Sequence, residues 1–261
     1  MGRKSAAHFA AITVLSIFFY NGLFAQKQVV HQQLAWYTNV VTILFSKHWG
    51  YQFEVSERHF IEPVEQHQLV FRSHITYLMP NSGWDASAGG FLFLQSPQNP
   101  RSTSKLIIPE LRPYFEIVHR QGLKRFRIEQ RYRIESRFFH NTDSANTALA
   151  DGFRFGSFRF RSRLQAIIPL LKFATQKELR FRIGNECFIN VGSQILYNTF
   201  DQNRLTAAFQ TSFSPMVTTE LGYLNQFQQT SAGKNYYNRH VFFVNLMLFF
   251  VKTQRSAHSE K

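Results

Sequence analysis

The sequence predicts an all-β fold, a transmembrane antiparallel up-and-down β-barrel of ten to twelve strands with twelve preferred, and three observations lead there. The first is residues 124–139, KRFRIEQRYRIESRFF, in which Arg125, Arg127, Glu129, Arg131, Arg133, Glu135 and Arg137 alternate with Phe126, Ile128, Gln130, Tyr132, Ile134, Ser136 and Phe138. Side chains on a strand alternate faces, so the stretch has one charged face and one largely apolar face. It is longer than ordinary soluble strands and suits a tilted strand crossing a bilayer, with the apolar face towards lipid and the charged face towards a lumen. The second observation is that similar stretches recur through the chain. The third is an N-terminus that reads as an export signal.

That N-terminus carries Arg3 and Lys4 ahead of an apolar run from Phe9 to Phe24, and Ala25 precedes Gln26. Residues 1–25 are expected to be a signal peptide cleaved after Ala25, with Leu23 larger than the usual small residue before the cut; an uncleaved anchor is the alternative. The barrel is then expected over 26–251 and a polar tail over 252–261. Formal charge is +14, from 30 Lys and Arg against 16 Asp and Glu, and removal of Arg3 and Lys4 leaves +12. Such a balance raises nucleic acid. Here the basic and aromatic residues separate onto opposite strand faces, which argues against that partner. Cys187 is the single cysteine and excludes an internal disulfide. Beyond the signal, no apolar run reaches the length of a membrane-spanning helix.

In chain order, the first strand is expected over 33–44, the most apolar and least cleanly alternating. Residues 49–60 alternate well, as do 68–78. The turn at 80–83 leads into 84–94, where Gly89-Gly90 predicts a bend or bulge. The segment 95–104, with Pro97 and Pro100, reads as a loop. Strand 110–120 carries Glu110, Arg112, Glu116 and Arg120 on one face, and Gln121-Gly122 is read as a tight hairpin into 124–139. A second polar loop covers 140–151. Strand 153–168, bearing Arg159, Arg161, Arg163 and Gln165, is expected to end at Pro169. Strand 178–190 sets Glu178, Arg180, Arg182 and Glu186 against Leu179, Phe181, Ile183 and Cys187. Strands 204–213, 218–229 and 238–251 complete the set.

These are eleven candidates, whereas single-chain bacterial barrels use even numbers. Either a short strand such as 193–200 is missing from the set or one candidate lies outside the wall. With short turns periplasmic and long loops outside, the first strand runs inward from the wrong side, which is why twelve is preferred.

Gathering the charged faces into one interior gives a lumen network of Arg125, Arg127, Glu129, Arg131, Arg133, Glu135, Arg137, Glu110, Arg112, Glu116, Arg159, Arg161, Arg163, Arg180, Arg182 and Glu186. Arg58, Arg72, Arg120, Arg204, Glu54, Glu178 and Glu220 extend it. Arg rather than Lys suits bidentate pairing to carboxylates. Paired charges would fill the lumen structurally; the excess of fifteen Arg over eight Glu would instead line a path for small anions. On the outer face, Trp36, Tyr37, Trp49, Tyr51, Tyr77, Trp84, Tyr197, Tyr223, Tyr236 and Tyr237 are expected to form interfacial girdles in outer-membrane lipid. The last strand, with Phe242, Val244, Leu246, Leu248 and Phe250 on one face, resembles the terminal signal read by the barrel-assembly machinery, except that residues 252–261 follow it.

Chemistry is not expected. A phospholipase-like esterase of the outer membrane would need His and Ser two residues apart on one face, but Ser73 and His74 are adjacent and point to opposite faces. His140 and Ser144 fall in a loop, and Asn238 with His240 lacks a nucleophile nearby. Dispersed histidines and one cysteine offer no metal site and no cofactor site. An esterase, or a surface or assembly partner acting through the long loops, remains the alternative function.

Several segments carry a family resemblance: LAWYTNVVTILFSKHWGYQFEVSERHF (34–60), PELRPYFEIVHRQGLKRFRIEQRYRIESRF (109–138), NECF (185–188), NRLTAAF (203–209), and ELGYLNQFQ (220–228) followed by NRH (238–240). Together they resemble domain of unknown function 2490, a family of exported proteins expected to be outer-membrane barrels. The resemblance implies fold and location, and carries over no catalytic residue.

Overall fold

The computed structural model describes residues 27–175 and 177–252. The expected signal segment and nearly all of the polar tail lie outside the described residues. Eleven strands follow in chain order: β1 (Gln28–Leu44), β2 (Trp49–Phe60), β3 (Glu65–Leu78), β4 (Trp84–Gln95), β5 (Ile108–Gly122), β6 (Arg127–Thr142), β7 (Leu149–Ala174), β8 (Lys177–Val191), β9 (Phe200–Ser212), β10 (Val217–Gln229) and β11 (Asn235–Val251). Each pairs with its sequence neighbours, and β11 returns to β1 to close the barrel.

The preference for twelve strands is corrected to eleven. No strand forms over 193–200: residues 192–199 make a loop, and Phe200 opens β9. An odd number of alternating strands leaves the first and last running the same way, so β1 and β11 close in parallel, from Gln28 opposite Asn235 to Leu44 opposite Val251. The first strand accordingly enters at the rim of the longer connections, as the loop lengths alone implied. One rim holds the N-terminal end of β1 with the longer connections 96–107, 143–148 and 192–199; the other holds the shorter turns 45–48, 123–126 and 213–216 with the end of β11.

The register also sets the tilt. Directly paired residues followed once round the wall lead from Leu44 through Gly50, Thr76, Ser87, Glu116, Arg133, Arg161, Phe188, Gln202, Gln228 and Tyr237 back to Val30, fourteen positions along β1. The offset is even, as it must be for inward faces to meet inward faces, and such a stagger inclines the strands by roughly 45° to the axis.

Three local expectations change. Gln121 and Gly122 still belong to β5, and the turn is 123–126, so Arg125 lies in the turn and Arg127 at an exposed strand start. Pro169 does not end β7, which continues to Ala174 through register shifts at Pro169/Leu171 and Lys172/Ala174, where a missing N–H is tolerated. Gly89-Gly90 makes no bulge, since β4 keeps an unbroken register with both neighbours. A Cβ on Gly89 would instead meet the Ser73 carbonyl oxygen and lie 2.5 Å from His74 Cβ. The wall curls tightly there. Gly89→Val is therefore expected to destabilise the barrel by about 1–3 kcal/mol through overpacking, read as a lower urea midpoint of the refolded protein; an unchanged midpoint would contradict this.

Outer faces carry exposed apolar side chains, among them Phe115, Tyr132, Phe160, Leu205, Phe209, Leu221 and Phe242. At the short-turn rim Trp49 packs on Tyr77 at 4.9 Å and Trp84 stacks on His119 at 4.5 Å. Two expected girdle residues face inward instead. Trp36 is buried in a cluster with Leu34, Phe60, Ala208, Leu224, Val241 and Phe243, and Tyr237 lies under Arg239 at 4.5 Å. At the opposite rim, the Thr147 hydroxyl and the backbone N–H groups of Thr147 and Ala148 donate to Asp143 and hold its carboxyl below the usual carboxylate range, which fixes the shape of the 143–148 connection.

Candidate functional site: the arginine-lined lumen

The interior divides lengthwise into a charged half and an apolar half. Alternation on β5 to β8 turns their charged positions inward, and the register brings those of neighbouring strands side by side. Arg133 Nη2 lies 2.5 Å from Glu116, and Arg137 donates to Glu110 at 2.6 Å, both across the β5–β6 hairpin. Arg112 holds Glu110 with two hydrogen bonds of 2.7 and 2.6 Å. From β7, Arg161 donates to Glu135 at 2.5 Å and to Glu186 at 2.9 Å, while Arg163 donates to Glu129. Arg131 reaches past β7 to Glu186 on β8 at 2.5 Å. Arg159 meets Asp201 at 3.1 Å, Arg182 pairs with Glu220, and Arg180 with Glu178.

Fourteen of the sixteen network residues named from the sequence therefore join ion pairs inside the wall or at its inner rim. Arg125 and Arg127 are exposed at the short-turn rim and do not. Glu135 is the centre of the network. It is wholly buried and has Arg161, Arg133 and Arg112 at 2.5, 3.5 and 4.0 Å. Because each carboxylate serves more than one guanidinium, the loss of one exposes several buried charges.

Aromatic faces complete the packing, and sequence reasoning missed them. Arg112 lies 3.7 Å from the Phe93 ring centroid, Arg133 4.4 Å from Tyr114 and Arg161 4.3 Å from Phe188. Arginine is suited to such stacking because its planar cation is weakly hydrated. Phe91 and Phe93 alternate with Leu92 and Leu94, so from Ala88 to Leu94 both faces of β4 are apolar; the polar residues that share the inward face, Asp85, Ser87 and Gln95, lie towards the strand ends.

Three cavities follow one another along the lumen. At the long-loop rim a vestibule of about 850 Å³ is bordered by Arg154, Asp201, Ser231 and Tyr237. It shares Gln98, Arg137, Phe139, Arg159 and Gln228 with a central cavity of about 300 Å³. That cavity shares Arg204 with a third, of about 140 Å³, beside Arg163, Arg182 and Glu220. The 96–107 connection roofs the centre: the Gln98 side chain accepts from Arg239 at 2.5 Å, and its backbone carbonyl accepts from Gln32 at 2.9 Å.

Residues considered for ester chemistry are held apart. Ser73 accepts from the Tyr51 hydroxyl at 3.2 Å on the outer face, whereas His74 is buried on the inner face beside Tyr114. His140 Nδ1 lies 3.0 Å from the Asn141 carbonyl oxygen, and His240 Nδ1 lies 2.6 Å from the Tyr223 hydroxyl. Among the described residues no cluster of His, Cys, Asp and Glu is arranged to hold a metal.

A comparison with curated proteins gave no match, and neither did a comparison with solved structures. A family model does match, over residues 33–238, which takes in the wall from β1 into the start of β11. The chain belongs to the family described as "Protein of unknown function (DUF2490)".

Proposed function

We propose that this protein is an outer-membrane β-barrel that acts as a narrow, anion-preferring pore rather than as an enzyme. Support for the membrane comes from the outer wall, whose continuous apolar surface far exceeds what a soluble monomer exposes, and from the aromatic pairs at the short-turn rim. In this reading the short turns are periplasmic and the 96–107 connection faces outward. The last strand, with Phe242, Val244 and Phe250 on its outer face, is what the barrel-assembly machinery recognises.

The observation that carries the pore is the line of cavities from vestibule to centre to the third space, with Arg204 at the narrow passage between the last two. A single-sign constriction concentrates counter-ions. The paired Arg131 and Arg133 are neutralised by Glu116, Glu135 and Glu186, so selectivity falls to Arg204. Purified protein in planar bilayers is expected to show a small conductance favouring chloride over potassium, and Arg204→Gln to reduce that preference. Silence from correctly folded protein would sink the pore and leave the network as structural filling.

A further inference from the structure

The interior positive charge is not evenly compensated. Among the described residues, every other buried or half-buried arginine of the wall, from Arg72 on β3 to Arg182 on β8, has a carboxylate within 4.0 Å. Arg58, Arg204 and Arg239 have none, and all three line the central cavity. Arg239, 1% exposed, donates only to the neutral side chains of Gln32, Gln228 and Gln98. Arg58 donates to Gln68 at 2.7 Å and to Ser56 at 3.3 Å. Arg204 stands opposite Glu186 in the β8–β9 register, but Arg131 and Arg161 hold that carboxylate; Arg204 lies 4.8 Å from the Phe188 ring and 5.3 Å from Trp36, and its buried Nε has no hydrogen-bond partner.

Keeping three guanidinium groups together inside a protein without a carboxylate in direct contact is costly, because each loses water and repels the others. A second observation points the same way. Trp36 is more than nine-tenths buried, borders the same cavity, and its indole N–H is unpartnered. The two carboxylates that also line the cavity, Glu54 and Glu110, are held by Arg72 and by Arg112 and Arg137, so what it leaves unpaired is cations and one donor.

From this we propose that the central cavity is a binding site for a small organic anion bearing two or more negative charges, held by Arg58, Arg204 and Arg239 with the Trp36 N–H as a further donor. At about 300 Å³ the cavity has the volume of about ten waters, which suits a compact oxyanion and excludes a polymer or a lipid chain. Carboxylate and phosphate groups share the acceptor geometry that a guanidinium fork recognises. The Gln98 bond to Arg239 places the roof of the site on the 96–107 connection, so an anion entering from the vestibule passes that residue. The site extends the pore reading but does not depend on ions crossing the barrel.

The test is calorimetric titration of the full-length protein, folded in a zwitterionic detergent, with citrate, inorganic phosphate and chloride at equal ionic strength. Citrate is expected to bind more tightly than phosphate, and chloride not measurably. Arg204→Gln and Arg58→Gln should each weaken citrate binding by at least about tenfold, the loss expected for one charge-assisted hydrogen bond. Arg125→Gln, in the exposed turn, should leave it unchanged. Phosphate tighter than citrate would overturn the organic anion in favour of a free inorganic one. No binding beyond chloride, or equal affinity in the Arg58→Gln/Arg204→Gln double variant, would overturn the site altogether. Should the variants not fold, the wild-type comparison of citrate with chloride decides alone. Binding with a silent bilayer would remove the pore and keep the site; conductance without binding would do the reverse.

Discussion

Glu135→Gln is expected to destabilise the barrel by about 3–5 kcal/mol, the cost of leaving buried cations without their partner. Glu135 is wholly buried, and Arg161, Arg133 and Arg112 converge on it from three strands. Glutamine keeps the shape and one acceptor oxygen but removes the charge. The effect should spread, because Arg161 and Arg133 also hold Glu186 and Glu116, and these in turn meet Arg131. Glu65→Gln makes the control. It removes a 2.7 Å pair with Lys105, but both side chains are exposed, and such pairs contribute about 0–1 kcal/mol. Urea titration of both variants refolded into lipid vesicles reads the difference. Equal midpoints would mean that the network does not hold the wall together.

Trp36→Ala is expected to cost about 3–5 kcal/mol as well, by opening a cavity in a packed interior. Its ring packs in the inner cluster of β1, β2 and β9 to β11, and Arg58 and Arg204 lie 4.1 and 5.3 Å from it. Trp49→Ala should cost far less, since Trp49 sits on the outer face at 44% exposure. A loss at Trp36 no greater than at Trp49 would refute the inward orientation. Because Trp36 also borders the central cavity, its removal should weaken citrate binding along with stability.

The two residues mark where sequence reading succeeds and fails. Glu135 is legible because it belongs to an unbroken charged face, and only one face of such a strand can be inside. Trp36 is not, because β1 carries apolar and small polar residues on both faces, and Leu34 inward looks no different from Ala35 outward. The same ambiguity hid Phe91 and Phe93 on β4.

Alternation by itself determined that the chain is a run of strands, roughly where each begins and ends, and which faces of β5 to β8 are charged; these are local properties, set by the two-residue period of an extended chain. Eleven strands were countable, but closure was not, since whether an odd set closes depends on a parallel seam between residues two hundred positions apart. Ion-pair partners likewise follow from register and tilt: Arg131 meets Glu186 across an intervening strand, and Arg204, directly opposite Glu186, goes without it because Arg131 and Arg161 already hold that carboxylate. That the interior has a cation excess was in the composition. That the excess gathers at one cavity was decided only when the wall closed.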